Sequence, residues 1–132
     1  MFLKVLALVS QSPFFPAPSR IEIPWYSSLN VVSSLFPEDD FRYTPPLKRL
    51  DPILTVRKLE KNFPINVRRR PSMFLPTETH MIVVHGENEF YDDVWLRFES
   101  NHTHIVSASR VGLWDGNVNQ NRVKRMKKLL KS

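Results

Sequence analysis

The sequence predicts a small α+β fold: a single sheet with two packed helices, preceded by a long proline-rich extended arm. Three observations predict it. All eleven prolines lie at or before Pro76, while the three glycines, Gly86, Gly112 and Gly116, come after it. Thr79 to His85 (THMIVVH) is a continuous apolar run typical of a buried strand. Asn121 to Leu130 places Val123, Met126 and Leu130 on one stripe of a helix. Residues 1–61 are therefore expected to form the arm and residues 62–132 the α+β domain. At 132 residues the chain holds one domain at most.

Met1 to Ser10 (MFLKVLALVS) resembles a short targeting signal. Its apolar run, Val5 to Val9, is shorter than the roughly 7–15 residues of a signal core and far below the ~20 of a membrane span. It is expected to be a buried extended segment or an anchor on a neighbour, and no membrane-spanning helix is expected. Residues 11–52 interleave prolines with Phe14, Phe15, Trp25, Tyr26, Phe36, Phe41 and Tyr43. A flexible linker would be rich in Gly and Ser and a disordered tail would lack aromatics. The composition fits an arm that buries its rings against its own domain or a partner. Asp51-Pro52 supplies a cap and first position for a short helix ending before Phe63-Pro64.

From Asn62 to Pro76 (NFPINVRRRPSMFLP) prolines at both ends favour extended geometry and present Arg68, Arg69 and Arg70 on a stiff strand. Thr79 to His85 follows as a strand. Asn88 to Glu99 (NEFYDDVWLRFE) admits two patterns. As a strand, Val94, Leu96 and Phe98 alternate with Trp95, Arg97 and Glu99. As a helix, Asn88 caps it, Glu89, Asp92 and Asp93 face the positive dipole end, and Phe90, Val94 and Phe98 share a stripe. The acidic first turn favours helix. His104 to Trp114 reads as a strand with Gly112 a candidate bulge, Asp115-Gly116 as a tight turn, and Asn121 to Leu130 as the closing helix.

The formal net charge of +6 is unevenly spread. Lys48 to Arg70 holds eight basic residues against Asp51 and Glu60, and Asn121 to Ser132 holds six with no acid. Glu87 to Glu99 holds five acids against Arg97. Two basic runs flanking an acidic one suggest a nucleic-acid face and a different second face. Arginines such as Arg68, Arg69 and Arg70 suit bidentate phosphate contacts or stacking on bases. The cations of the last helix, Arg122, Lys124, Arg125, Lys127 and Lys128, suit a sequence-independent hold on a phosphate backbone.

Catalytic signatures are missing. Cysteine is absent, which excludes disulfides and thiolate metal sites. His102 and His104 would share a strand face, but no third and fourth ligand stand at a familiar metal spacing, so neither metal nor cofactor is expected. There is no glycine-rich phosphate loop and no nucleophile elbow. Asn101-His102-Thr103 is a formal glycosylation sequon, relevant only to a secreted chain. An enzyme and a small-molecule substrate are not expected.

Phe63-Pro64, Val67-Arg68-Arg69 and Leu75-Pro76 resemble, in order and spacing, a segment of the mitochondrial large-ribosomal-subunit protein forty-nine family. The match thins but keeps its order through Met81 to Val84, Asn88 to Glu99, Ile105 to Leu113 and Val123 to Leu130. The resemblance implies a non-catalytic component of the mitochondrial ribosome. Such a component binds ribosomal RNA through Arg68 to Arg70 and the last helix, and neighbouring ribosomal proteins through the arm. The alternative from another class is an accessory subunit of a mitochondrial respiratory or ATP-synthase complex, without RNA.

Overall fold

The structure is a computed structural model and describes residues 30–63, 65–69, 78–85, 90–110 and 117–131. The expected N-terminal anchor, Arg70, the Leu75-Pro76 pair, the Gly112 bulge and the Asp115-Gly116 turn lie outside the described residues. In chain order the elements are β1 (Val31–Ser33), β2 (Leu47–Lys48), α1 (Pro52–Asn62), β3 (Ile65–Arg69), β4 (Glu78–His85), β5 (Phe90–Phe98), β6 (His102–Ser109) and α2 (Val118–Leu130). The strands form one sheet in the order β1-β6-β5-β4-β3, with β2 also pairing with β6. Every ladder between these strands is antiparallel. The fold is α+β, a small sheet with two helices. Among the described residues no helix is long and apolar enough to cross a membrane.

Both helices begin and end for local reasons. Asp51 accepts a hydrogen bond from the Leu54 N–H at 2.8 Å, and Pro52 occupies the first helical position, where a missing N–H costs nothing. Phe63 turns extended, as the residue before Pro64 is biased to do, and closes α1 by donating its N–H to the Leu59 carbonyl. Asn117 enters α2 from the left-handed region (φ 69°), a conformation that asparagine tolerates better than most residues.

Both helices lie on one side of the sheet. Leu59 from α1 and Phe63 just after it, and Val123, Met126 and Leu130 from α2, pack against Met81, Val83, Val94, Leu96, Phe98 and Ile105. The opposite side carries a smaller cluster: Val31, Trp95, Val106 and Ala108 beneath Phe36, with Leu35 and Tyr43 against it. The loop between β1 and β2 covers this cluster and is tied down by Ser33 N–H to the Arg42 carbonyl at 2.9 Å.

Two expectations change. Residues 30–61, assigned to the extended arm, contribute β1 and β2 besides the expected helix α1, and Val32, Leu47 and Leu59 belong to the main core. Among the described residues, Val31, Val32, Phe36, Leu47 and Leu59 of the arm find partners in the chain's own sheet. Asn88 to Glu99, expected as a helix, contains the central strand β5, paired to β4 over Phe90–Arg97 and to β6 over Asp92–Phe98. Residues 92–96 and 98 are all buried, which a strand covered on both sides requires and a one-sided helix does not. The acids that suggested a helix dipole instead make buried ion pairs: Asp92 and Asp93, adjacent on a strand, project to opposite sides of the sheet.

Candidate functional site

On the side of the sheet under the helices, buried polar groups pair across the core. Asp92 lies 2.6 Å from Arg122 Nη2 of α2, and both residues are almost fully buried. Arg122 Nη1 also donates to Ser107 Oγ (3.1 Å) and Asn119 Oδ1 (2.8 Å). Asn119 Nδ2 donates to Ser109 Oγ and to the Asn30 carbonyl, each at 3.0 Å. This network fixes α2 across β1, β5 and β6. It also removes Arg122 from the surface cations expected to touch RNA: at 2% exposure it is a structural ion-pair partner.

The other basic positions are placed as follows. Lys124, Arg125 and Lys128 are exposed on the outer side of α2, and Arg125 lies over the Phe63 ring at 5.1 Å, bridging to the end of α1. Lys127 is half-buried and donates to Thr44 Oγ1 (2.6 Å) and the Pro45 carbonyl (2.5 Å). Burial, and secondarily Lys131, push its pKa down. Arg68 and Arg69 stand in β3, the strand at the far edge of the sheet. Arg57, Lys58 and Lys61, which the sequence counts in a basic run without naming them as contacts, are exposed on α1 beside α2. The helix pair with its cap residues thus carries seven exposed cations, up to Lys131, against the exposed acids Glu60 and Asp51.

The side away from the helices gathers histidines and carboxylates. His80 Nε2 donates to Asp93 Oδ1 at 2.6 Å, and Arg110 grips the same carboxylate with Nε at 2.8 Å and Nη2 at 3.0 Å. Burial works to raise the Asp93 pKa, but the hydrogen bonds from His80 and Arg110 outweigh it and hold the carboxyl below its usual range. His80 stacks on Trp95 at 4.5 Å.

A second group forms where β5 turns into β6. The Glu99 N–H donates to the His102 carbonyl at 2.9 Å, closing a two-residue connection, Ser100-Asn101. His102 and His104, two apart on β6, then share the face on which Glu99 stands. His102 Nε2 lies 3.0 Å from Glu99 Oε2 and 3.0 Å from His104 Nε2, and His104 Nε2 lies 3.8 Å from Glu99 Oε2. On its far side His104 Nδ1 is 2.9 Å from Ser34 Oγ in the loop after β1. Burial pushes the His104 pKa down, Glu99 opposes this, and His102 and Arg97 add to it. The spacing Glu99-x-x-His102-x-His104 was the available signal, and it acquires meaning only once these residues form a hairpin.

A sheet with two helices on one side, cationic outside and histidine-rich on the reverse, defines a small α+β domain. The chain belongs to the family DUF1499, described as a protein of unknown function, whose model matches residues 30–130. No curated protein and no solved structure matches the chain. The family assignment overturns the resemblance to the mitochondrial ribosomal protein forty-nine family, since no ribosomal family matches. That resemblance was specific over only some fifteen residues, and a proline-bounded basic strand is a common way to protect any sheet edge. The family model instead runs from β1 through α2.

Proposed function

We propose that this protein is a non-catalytic RNA-binding module whose contact surface is the outer side of α1 and α2. One observation carries the reading: Arg57, Lys58, Lys61, Lys124, Arg125 and Lys128 are all exposed on two helices packed against each other, Lys131 adds a seventh cation at the end of α2, and Glu60 and the α1 cap Asp51 are the exposed acids there. Helices in contact lie ~8–10 Å apart, within about one Debye length at physiological salt, so their charges act on a ligand together. A flexible phosphate backbone matches such a surface without demanding a pocket. Arg68 and Arg69 in the edge strand extend the set of candidate contacts.

The test is fluorescence anisotropy of the full chain with a single-stranded RNA over a range of salt. Each phosphate contact contributes roughly 0.7 to the logarithmic salt slope, so Lys61→Gln, Lys124→Gln and Lys128→Gln together should flatten it by roughly 2. Binding that is independent of salt, or unchanged in this triple variant, contradicts the reading.

A further inference from the structure

We propose that Glu99, His102 and His104 form a binding site for a divalent first-row transition ion of the zinc type. The donor set is two imidazole nitrogens and one carboxylate oxygen, the ligand chemistry zinc takes when three protein groups hold it and further positions stay open to water. Donors about 2 Å from a tetrahedral ion stand about 3.3 Å from one another. The three separations here, 3.0, 3.0 and 3.8 Å, bracket that value, and one ligand atom from each residue lies within 4.8 Å of the others.

The hydrogen-bond pattern behind His104 supports the same assignment. Ser34 Oγ accepts from the Ile105 N–H at 2.8 Å, and its own hydrogen reaches the Ile105 carbonyl at 3.4 Å. When His104 Nε2 is a ligand, the imidazole proton stands on Nδ1 and is donated to Ser34 Oγ across the 2.9 Å contact, while the Ser34 hydroxyl proton turns to the Ile105 carbonyl. In that tautomer His104 Nε2 presents a lone pair towards Glu99 Oε2 and His102 Nε2. A single proton on His102 satisfies one or other of those acceptors, whereas one cation satisfies all three. Ser34 thus plays the part of the outer partner that fixes a ligand's tautomer and ring orientation.

Access and charge agree with this. The Glu99 and His102 side chains are each 38% exposed, so an ion enters from solvent, while His104 at 16% forms the floor. Arg97 is the nearby opposing charge. Its Nε is held by Glu78 at 3.2 Å and its Nη1 is 4.0 Å from Glu99 Oε1, leaving Oε2 of Glu99 to the histidines.

The experiment is calorimetric titration of the untagged full chain with zinc chloride, with circular dichroism to confirm that each variant is folded. One ion per chain is expected, with His104→Ala weakening binding by roughly 100-fold or more and Ser34→Ala by roughly 10-fold. His102→Ala, at a half-exposed position, is the variant least able to disturb the fold, and it too should lose tight binding. A cobalt-loaded wild-type chain should show a visible d–d spectrum that His102→Ala lacks. No stoichiometric uptake of zinc, or uptake that survives in His102→Ala and Glu99→Gln alike, overturns the proposal.

Discussion

The two sides of the sheet solve the same problem differently. Beneath the helices, Asp92 meets Arg122, and the Ser107, Ser109 and Asn119 side chains complete a polar network enclosed by the main apolar core. On the reverse, Asp93 meets His80 and Arg110, and a few residues away Glu99, His102 and His104 turn their ligand atoms towards one another. One side uses its buried charges to hold a helix in place. The other uses a smaller core and leaves ligand-competent groups near solvent. The comparison teaches that charge in this protein divides three ways: buried pairs that build, helix surface cations that face outward, and a histidine–carboxylate group suited to an ion.

The sharpest way to break this comparison is to cut one buried pair. Asp92→Ala strands the Arg122 charge, and urea denaturation should register a loss of about 3–5 kcal/mol. Replacing the pair together, Asp92→Leu with Arg122→Met, should recover much of it, because no isolated charge is then buried. Little loss in the single variant would mean that the network does not anchor α2. Next in size is the packing under the helices. Met126→Ala empties a fully buried position and should cost about 2–5 kcal/mol by the same assay. At the margin of the fold, Asp51→Ala removes the cap of α1 and should cost about 1 kcal/mol.

Asp93 separates the two sides by pH. Its carboxyl is held below the ordinary value of 3.8 in the folded chain, so folding favours the ionised form. The stability it contributes is complete above 3.8 and is lost as pH falls below that value towards the folded pKa. Stability measured against pH should therefore decline on this acid limb, and Asp93→Asn should flatten the decline. An unchanged acid limb would show that the reverse-side pair does not favour the charged carboxylate.

Much of this architecture was legible in the residues, where one signal had no competitor. Asp51-Pro52 marked the start of α1, the apolar run at Thr79 to His85 marked β4, and Val123, Met126 and Leu130 marked the buried stripe of α2. The segment carrying β5 was illegible because twelve residues satisfied both periods. Acids at its start imitate a helix N-terminus unless Arg122 and Arg110 are known to arrive from elsewhere. The same long-range arrival hid Arg122 among the surface cations. The ion site was hidden for a more local reason. Glu99 joins His102 and His104 only through the turn at Ser100-Asn101, and Ser34 reaches His104 across 70 residues of chain.

The division of surface charge is the central claim, and one side-by-side anisotropy measurement tests it. RNA affinity is compared between the Lys61, Lys124 and Lys128→Gln triple variant and a His102→Ala, His104→Ala double variant. Affinity should fall in the lysine variant and hold in the histidine variant. A loss in the histidine variant with binding retained in the lysine variant would place the contact surface on the wrong side of the sheet and contradict the account.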